Sequence, residues 1–156
     1  MQRDSWYSVA LAQADLERAE AIGRKAAQRT LERMAPRQLP TGEVPVLFAA
    51  EMARSLVGHY LGAVSGGALY RKASFLLDAL GKPIFPEHIN LTEDPHIRGA
   101  MGSSPFDDEG VRTRKRNVVS AGVLEGYFLS SYTARKLGMQ TTGNAGGSHN
   151  LVFSST

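Results

Sequence analysis

The sequence predicts an α+β fold, a mixed and mostly antiparallel sheet with helices packed against it, on three observations. Stretches with apolar residues at helical spacing alternate irregularly with short β-prone runs. Arg116 to Val119 and Val123 to Leu129 flank Ser120, Ala121 and Gly122, a hairpin signature that calls for antiparallel pairing. No internal repeat or low-complexity block points to a solenoid. With 156 residues, 42% of them apolar, the chain can bury a core and reads as one domain or one part of a larger one.

Taken in order, Trp6 to Leu11 alternates loosely and is expected to form a strand. Asp15 to Met34 has helical periodicity through Leu16, Ala19, Gly23, Ala26, Thr30 and Met34, with Asp15 as N-cap and Pro36 as stop. A turn at Pro40, Thr41 and Gly42 leads to a short strand over Val44 to Phe48, where Pro45 demands an edge or unpaired position. A helix follows over 50–63, in which Met52, Leu56, His59 and Ala63 share a stripe. Ser65, Gly66 and Gly67 break it before a second helix over Ala68 to Leu80, with Leu69, Ala73, Leu76 and Leu80 on one face and Gly81 and Pro83 closing it.

Between Lys82 and Pro105 there is little periodicity, and prolines at 83, 86, 95 and 105 mark a long connection. His88, Glu93, Asp94 and His96 within it match no metal-ligand spacing and read as surface loop residues. Asp107-Asp108-Glu109-Gly110 could hold a hard cation or do acid–base work, but adjacent Asp and Gly are also turn chemistry, which is the reading adopted. After the hairpin, in which Gly126 signals a bulge or close backbone approach, Ser130 or Ser131 caps a short helix through Leu137, stopped by Gly138. Thr141 to Asn150 is rich in Gly, Ser, Thr and Asn; it can bind an anion through backbone N–H groups but lacks the P-loop lysine. Leu151 to Phe153 begins another strand.

Composition narrows the classes of function. No apolar run approaches the length of a membrane span, the N-terminus is polar rather than signal-like, and zero cysteines remove disulfides and thiolate metal sites. A cytoplasmic location is the expectation. The net charge is +3, and the one dense basic cluster, Arg112, Arg114, Lys115 and Arg116, reads as a solvated strand edge guarded by charge. No zinc-finger, RNP or helix-turn-helix pattern supports a nucleic-acid partner.

The helix at 50–63, followed by SGGALYRKASFLLDALGK, PFDDEG, GVLEGYFLSSYTARKLGM and TTGNAGGSHN in that order, resembles the TldD/PmbA family of bacterial metallopeptidase subunits, once labelled modulators of DNA gyrase. The resemblance covers nearly all of this chain but only a middle-to-late portion of a full-length subunit. It implies a partial catalytic-fold domain, with 1–36 as a leading strand and helix and 37–156 as the central region. TldD-type subunits carry His-Glu-x-x-x-His on this helix, two zinc ligands and a general base. Here the corresponding positions are Arg54, Ser55 and His59. A guanidinium has no lone pair for zinc and an unassisted serine is a poor base, so the chain resembles the PmbA, or TldE, branch.

The resemblance therefore implies no catalytic residue, metal ligand or cofactor in this chain, with zinc carried by a TldD-type partner. The implied role is a non-catalytic subunit of a heteromeric peptidase acting on unfolded peptides, in antitoxin turnover and peptide-antibiotic maturation. His59, Asp108, Asn144 and His149 are the candidates for substrate or interface contact. Two alternatives stay open: an active metallopeptidase with an unorthodox site, and a module binding nucleic acid or gyrase.

Overall fold

A computed structural model describes residues 1–155 and divides them into two compact units, Met1–Leu47 and Phe48 onward. In the first, a 3-10 turn at Gln13–Asp15 precedes helix α1 (Ala19–Glu32). The N-terminal segment packs on that helix through side-chain charge rather than as a strand. Asp4 pairs with Arg29 and Arg33 at 3.2 and 3.0 Å, and the Lys25 ammonium sits 3.5 Å from the Trp6 ring centroid. The strands expected at Trp6 to Leu11 and Val44 to Phe48 are absent: among the described residues neither stretch has a pairing partner, and a strand exists only through one. The α1 N-cap is Arg18, not Asp15, which closes the preceding turn.

The second unit holds α2 (Ala50–Ala63), α3 (Gly66–Tyr70), β1 (Ile89–Glu93), β2 (Arg116–Ser120), β3 (Val123–Leu124), α4 (Ser131–Leu137) and β4 (Leu151–Ser155). The four strands form one antiparallel sheet in the order β3-β2-β1-β4, so the predicted α+β class and antiparallel sheet are what the chain adopts. The β2–β3 connection is the two-residue turn Ala121-Gly122, both with positive φ (46° and 75°), whose twist suits a tight hairpin. Gly122 is obligatory there, because a Cβ would lie 2.2 Å from the Phe85 carbonyl oxygen.

The largest difference from the sequence reading is β1. Residues 89–93 form an inner strand of the sheet, whereas the proline-rich context predicts a loop. The second difference is the expected helix over 68–80. Only α3 forms, because Lys72 and Asp78 take left-handed φ values of 56° and 57° and break the helical path. Leu69 and Leu76 are buried as expected, but Ala73 and Leu80 are exposed and Ala79 replaces them in the core. Tyr127 organises this irregular segment: its hydroxyl donates to the Leu76 carbonyl at 2.7 Å and accepts from Ala79 N–H at 3.0 Å.

Local signals were sufficient for α4. Ser130 accepts from Thr133 N–H and Thr133 accepts from Ser130 N–H, a reciprocal capping box, while Gly138 ends the helix at φ 67°. α3 packs closely on α4, since a Cβ on Gly66 would fall 2.3 Å from Thr133 Oγ1. The core of the unit is Val64, Leu69, Leu91, Val118, Val119, Leu124 and Leu129, all at or near zero exposure, with Tyr60, Tyr127 and Phe128 around them.

The Tyr60 hydroxyl is buried with no hydrogen-bond partner among the described residues. Burial pushes its ionisation well above the ordinary phenol range, with the Arg116 charge opposing. A stranded donor costs free energy that phenylalanine would not, so Tyr60→Phe is expected to raise stability by about 1 kcal/mol. Urea midpoints check this; a lower midpoint would show that the hydroxyl has a partner in solution.

Candidate functional site

The motif helix comes first. α2 runs unbroken from Ala50 to Ala63, with Ser55 Oγ donating back to the Met52 carbonyl at 2.6 Å. Its inward face is the half-buried Ala53 and Val57 and the buried Tyr60, leading to Val64. The stripe expected from the sequence, Met52, Leu56 and His59, points outward instead, with Met52 and Leu56 58% and 50% exposed. The reason is that Ala53, Val57, Tyr60 and Val64 also recur at helical spacing, and that face meets the core, where Tyr60 packs edge-on against Phe85 with ring centroids 5.2 Å apart.

Arg54 and His59 are five residues apart, so an unbroken helix turns them about 140° from one another. Arg54 borders an apolar cleft of about 520 Å³ with Ala53, Val57, Phe85, Ile89 and Phe153. His59 borders a different hollow of about 220 Å³ with Phe75, Leu76 and Ile84. A zinc ion does not fit this donor set: one position offers a guanidinium, the next a hydroxyl committed to the backbone, and the third an imidazole that faces elsewhere, while His88 is the single imidazole lining the Arg54 cleft among the described residues.

Elsewhere the structure builds a polar cluster around Glu93, on β1. Its carboxylate is 1% exposed and takes four hydrogen bonds: Arg116 Nε on Oε2 at 2.8 Å, and Asn144 Nδ2 (2.7 Å), His149 N–H (2.9 Å) and His149 Nδ1 (3.0 Å) on Oε1. A carboxylate only accepts, so the His149 proton sits on Nδ1. Asn144 Oδ1 in turn accepts from Thr142 Oγ1 at 2.7 Å and Arg116 at 3.2 Å, and Asn144 Nδ2 also reaches the Gly147 carbonyl at 3.0 Å. The Arg116 guanidinium stacks 4.8 Å from the Phe128 ring centroid. Glu93 is thus not a surface loop residue, and Arg116 is not part of a solvated edge; each is withdrawn from water by pairing with the other.

The acidic turn is the second anchor of the same loop. Asp107 Oδ1 accepts from Glu109 and Val111 N–H at 3.0 and 2.9 Å, and Oδ2 from Ala145 N–H at 3.0 Å. Burial pushes the Asp107 carboxyl pKa up, but the N–H groups of Ala145, Val111 and Glu109, with His149 nearby, outweigh it and hold the value below the ordinary carboxylate range. Glu109 caps α4 by accepting from Ser131 N–H at 2.7 Å. Asp108 is exposed; its N–H donates to the Ala145 carbonyl, and its carboxylate fills the space beside Gly146, where a Cβ would be 2.2 Å away. The Gly-rich loop therefore does bind anions through its backbone, but they are the chain's own Asp107 and Glu93.

Of the four candidate residues, Asn144 and His149 meet at Glu93 and Asp108 joins the same loop, whereas His59 shares no hydrogen bond with them among the described residues. Glu93 and Arg116 are the cluster members that the sequence alone does not reveal, whereas Asp107 is the turn residue it predicts. The Asp107-x-Glu109-x-Val111 turn had a signal, an Asx residue ahead of a glycine, but the Glu93–Arg116 pair is 23 residues apart and had none.

The geometry defines an α+β scaffold that carries the α2 helix and a glycine-rich loop pinned by Asp107 and Glu93, and this is the class in which the relatives fall. The model of the PmbA/TldA metallopeptidase C-terminal domain matches residues 41–156, and the chain belongs to the PmbA/TldD metallopeptidase family. Metalloprotease PmbA of Escherichia coli O157:H7 is 49% identical over 96% of this chain and 33% of its own length. In Haemophilus influenzae the PmbA homolog is 42% identical and the TldD homolog 29%. A crystal structure from Bacteroides thetaiotaomicron, described as a modulator of DNA gyrase, superposes with a TM-score of 0.88 at 33% identity, over 97% of this chain and 34% of that one. TldE from Thermococcus kodakarensis matches 62% of this chain and 24% of its own, with a TM-score of 0.54 and 31% identity. The chain spans about a third of the length of the curated PmbA relatives it matches. Among the described residues, no helix is long and apolar enough to cross a membrane.

Proposed function

We propose that this chain is part of a PmbA-like subunit that carries no zinc of its own and works beside a TldD-type subunit that does, in the cytoplasm, on unfolded peptides. The observation that carries the reading is the unbroken α2 with Arg54 and Ser55 at the ligand and base positions and His59 turned away from them. The greater identity to PmbA than to TldD relatives supports it, as does the TldE neighbour. The subunit contributes surface and substrate positioning, which act on rate through orientation rather than through bond chemistry. His59, Asp108, Asn144 and His149 are its proposed contact residues, with Asn144 and His149 held in place by Glu93.

The test is peptide cleavage by a full-length version of this subunit, by a TldD-type subunit, and by the mixture, with elemental analysis of each. The expected result is no zinc in this subunit, no cleavage by it alone, and a mixture more active than the TldD-type subunit by itself. Restoring the motif by Arg54→His with Ser55→Glu is expected to leave this subunit inactive alone, because the straight helix keeps positions 54 and 59 apart. One zinc per chain lost on His59→Ala, or zinc-dependent cleavage by the unmodified subunit, would overturn the reading.

A further inference from the structure

A second cleft, of about 620 Å³, opens between residues 111–116 and 140–143. Its lining holds four cations, Arg112, Arg114, Lys115 and Arg116, and no carboxylate. Two of the four are neutralised within the fold, Lys115 by Asp94 at 3.0 Å and Arg116 by Glu93 at 2.8 Å. Arg112 and Arg114 are exposed and have no ion pair among the described residues.

Their placement is fixed by the residue between them. Thr113 is buried, donating from Oγ1 to the Ser104 carbonyl at 2.6 Å and from its N–H to the Pro105 carbonyl at 3.2 Å. Arg112 forms an antiparallel bridge with Phe106. The stretch is therefore extended, with Thr113 facing in and both arginines facing out on the same side. Alternate residues of an extended chain are about 6.6 Å apart. Two carboxylates at alternate positions of another extended chain have that same spacing, and guanidinium–carboxylate pairs are the strongest common form of charged hydrogen bond. The opposite wall offers the exposed Gln140 amide, able to hydrogen-bond a peptide backbone, while the Thr141 hydroxyl beside it is engaged within the fold, donating to the Leu129 carbonyl at 3.1 Å and accepting from Gly143 N–H at 3.2 Å.

We propose that this cleft binds acidic segments of unfolded peptide substrates, reading Asp or Glu at alternating positions through Arg112 and Arg114. The inference rests on the peptide-handling reading above and narrows its substrate class. A nucleic acid is disfavoured by count: duplex binders draw their affinity from about 6 to 10 phosphate contacts along a charged stripe, whereas two free guanidiniums in a bounded cleft match a short peptide.

The experiment is fluorescence anisotropy on the 156-residue chain with three labelled probes: an octapeptide with Glu at alternate positions, the same peptide with Gln, and an octathymidine. The Glu peptide is expected to bind, the other two at least tenfold more weakly. Arg112→Gln with Arg114→Gln is expected to weaken the Glu peptide at least tenfold, while Arg98→Gln with Arg135→Gln, two exposed arginines outside the cleft, leaves it unchanged. On the unmodified chain, amide resonances of 112–114 and 140–142 should shift on adding the Glu peptide, a readout that needs no variant. Absence of those shifts, equal binding of the Gln peptide, tighter binding of the oligonucleotide, or undiminished binding in the 112/114 variant would each overturn the proposal. Because no partner subunit or cleavage enters this measurement, its failure leaves the subunit-partner reading standing, and failure of partner stimulation leaves this one to stand or fall on binding.

Discussion

Glu93→Ala is expected to destabilise the protein by about 3 to 5 kcal/mol, the cost of removing one partner of a buried ion pair. The loss comes less from the bonds removed than from what is stranded. The Arg116 guanidinium, 18% exposed, would keep its charge without a counter-ion, and Asn144 Nδ2, His149 N–H and His149 Nδ1 would lose their common acceptor. Glu93→Gln should recover only part of the loss, because whichever way the amide turns, its NH2 group faces another donor. A double-mutant cycle with Arg116→Met isolates the pair: the double variant is expected to be more stable than Glu93→Ala alone. Urea denaturation at neutral pH measures all four forms. Equal midpoints for Glu93→Ala and the parent would mean that the cluster does not hold the loop.

Asp107→Asn is expected to cost about 2 to 3 kcal/mol at pH 7, since an amide cannot satisfy three N–H donors with one oxygen. The cost should vanish in acid, and the sign follows from linkage. The folded-state carboxyl pKa lies below the unfolded value of about 3.9, so its contribution is fully present above that value and is lost as pH falls through the folded pKa. Parent and variant should therefore differ at pH 7 and converge at an acid pH below the lowered folded-state pKa. Stability measured by urea at both pH values decides; a gap that persists in acid would assign the loss to altered packing instead of charge.

How much of this was legible depended on the range of the interaction. α4 was readable except for the choice between Ser130 and Ser131 as its cap, because Ser130, Thr133 and Gly138 lie within nine residues and settle the helix by themselves. The turn at Ala121-Gly122 was readable for the same reason, but of the second strand expected over Val123 to Leu129 only Val123–Leu124 pairs. β1 was not, because Ile89 to Glu93 carries only a weak alternation between Pro86 and Pro95 and becomes a strand through partners far along the chain. The helix expected over 68–80 failed in the opposite way: Leu69, Ala73, Leu76 and Leu80 imitate a helical face, but the Tyr127 hydroxyl, about 50 residues on, holds Leu76 and Ala79 in a turn. At the site, Asn144 and His149 were nominated by their loop, while the carboxylate that organises them was dismissed as solvent-facing. Burial of a charge is decided by its counter-ion, and Arg116 was itself counted among the surface cations.

The register of β1 with β4 also governs how the chain can be made. Ile89 to Glu93 pairs on one side with Arg116 to Val119 and on the other with Leu151 to Ser155. A ribosome adding about 5 to 20 residues per second delivers β4 some 3 to 12 s after β1. Through that interval one edge of the growing sheet is open, and Glu93 waits first for Arg116, 23 residues on, and then for Asn144 and His149, 51 and 56 residues on. The half-built sheet is then a natural client for a chaperone that shields strand edges, and slow codons placed between 93 and 151 would lengthen its exposure.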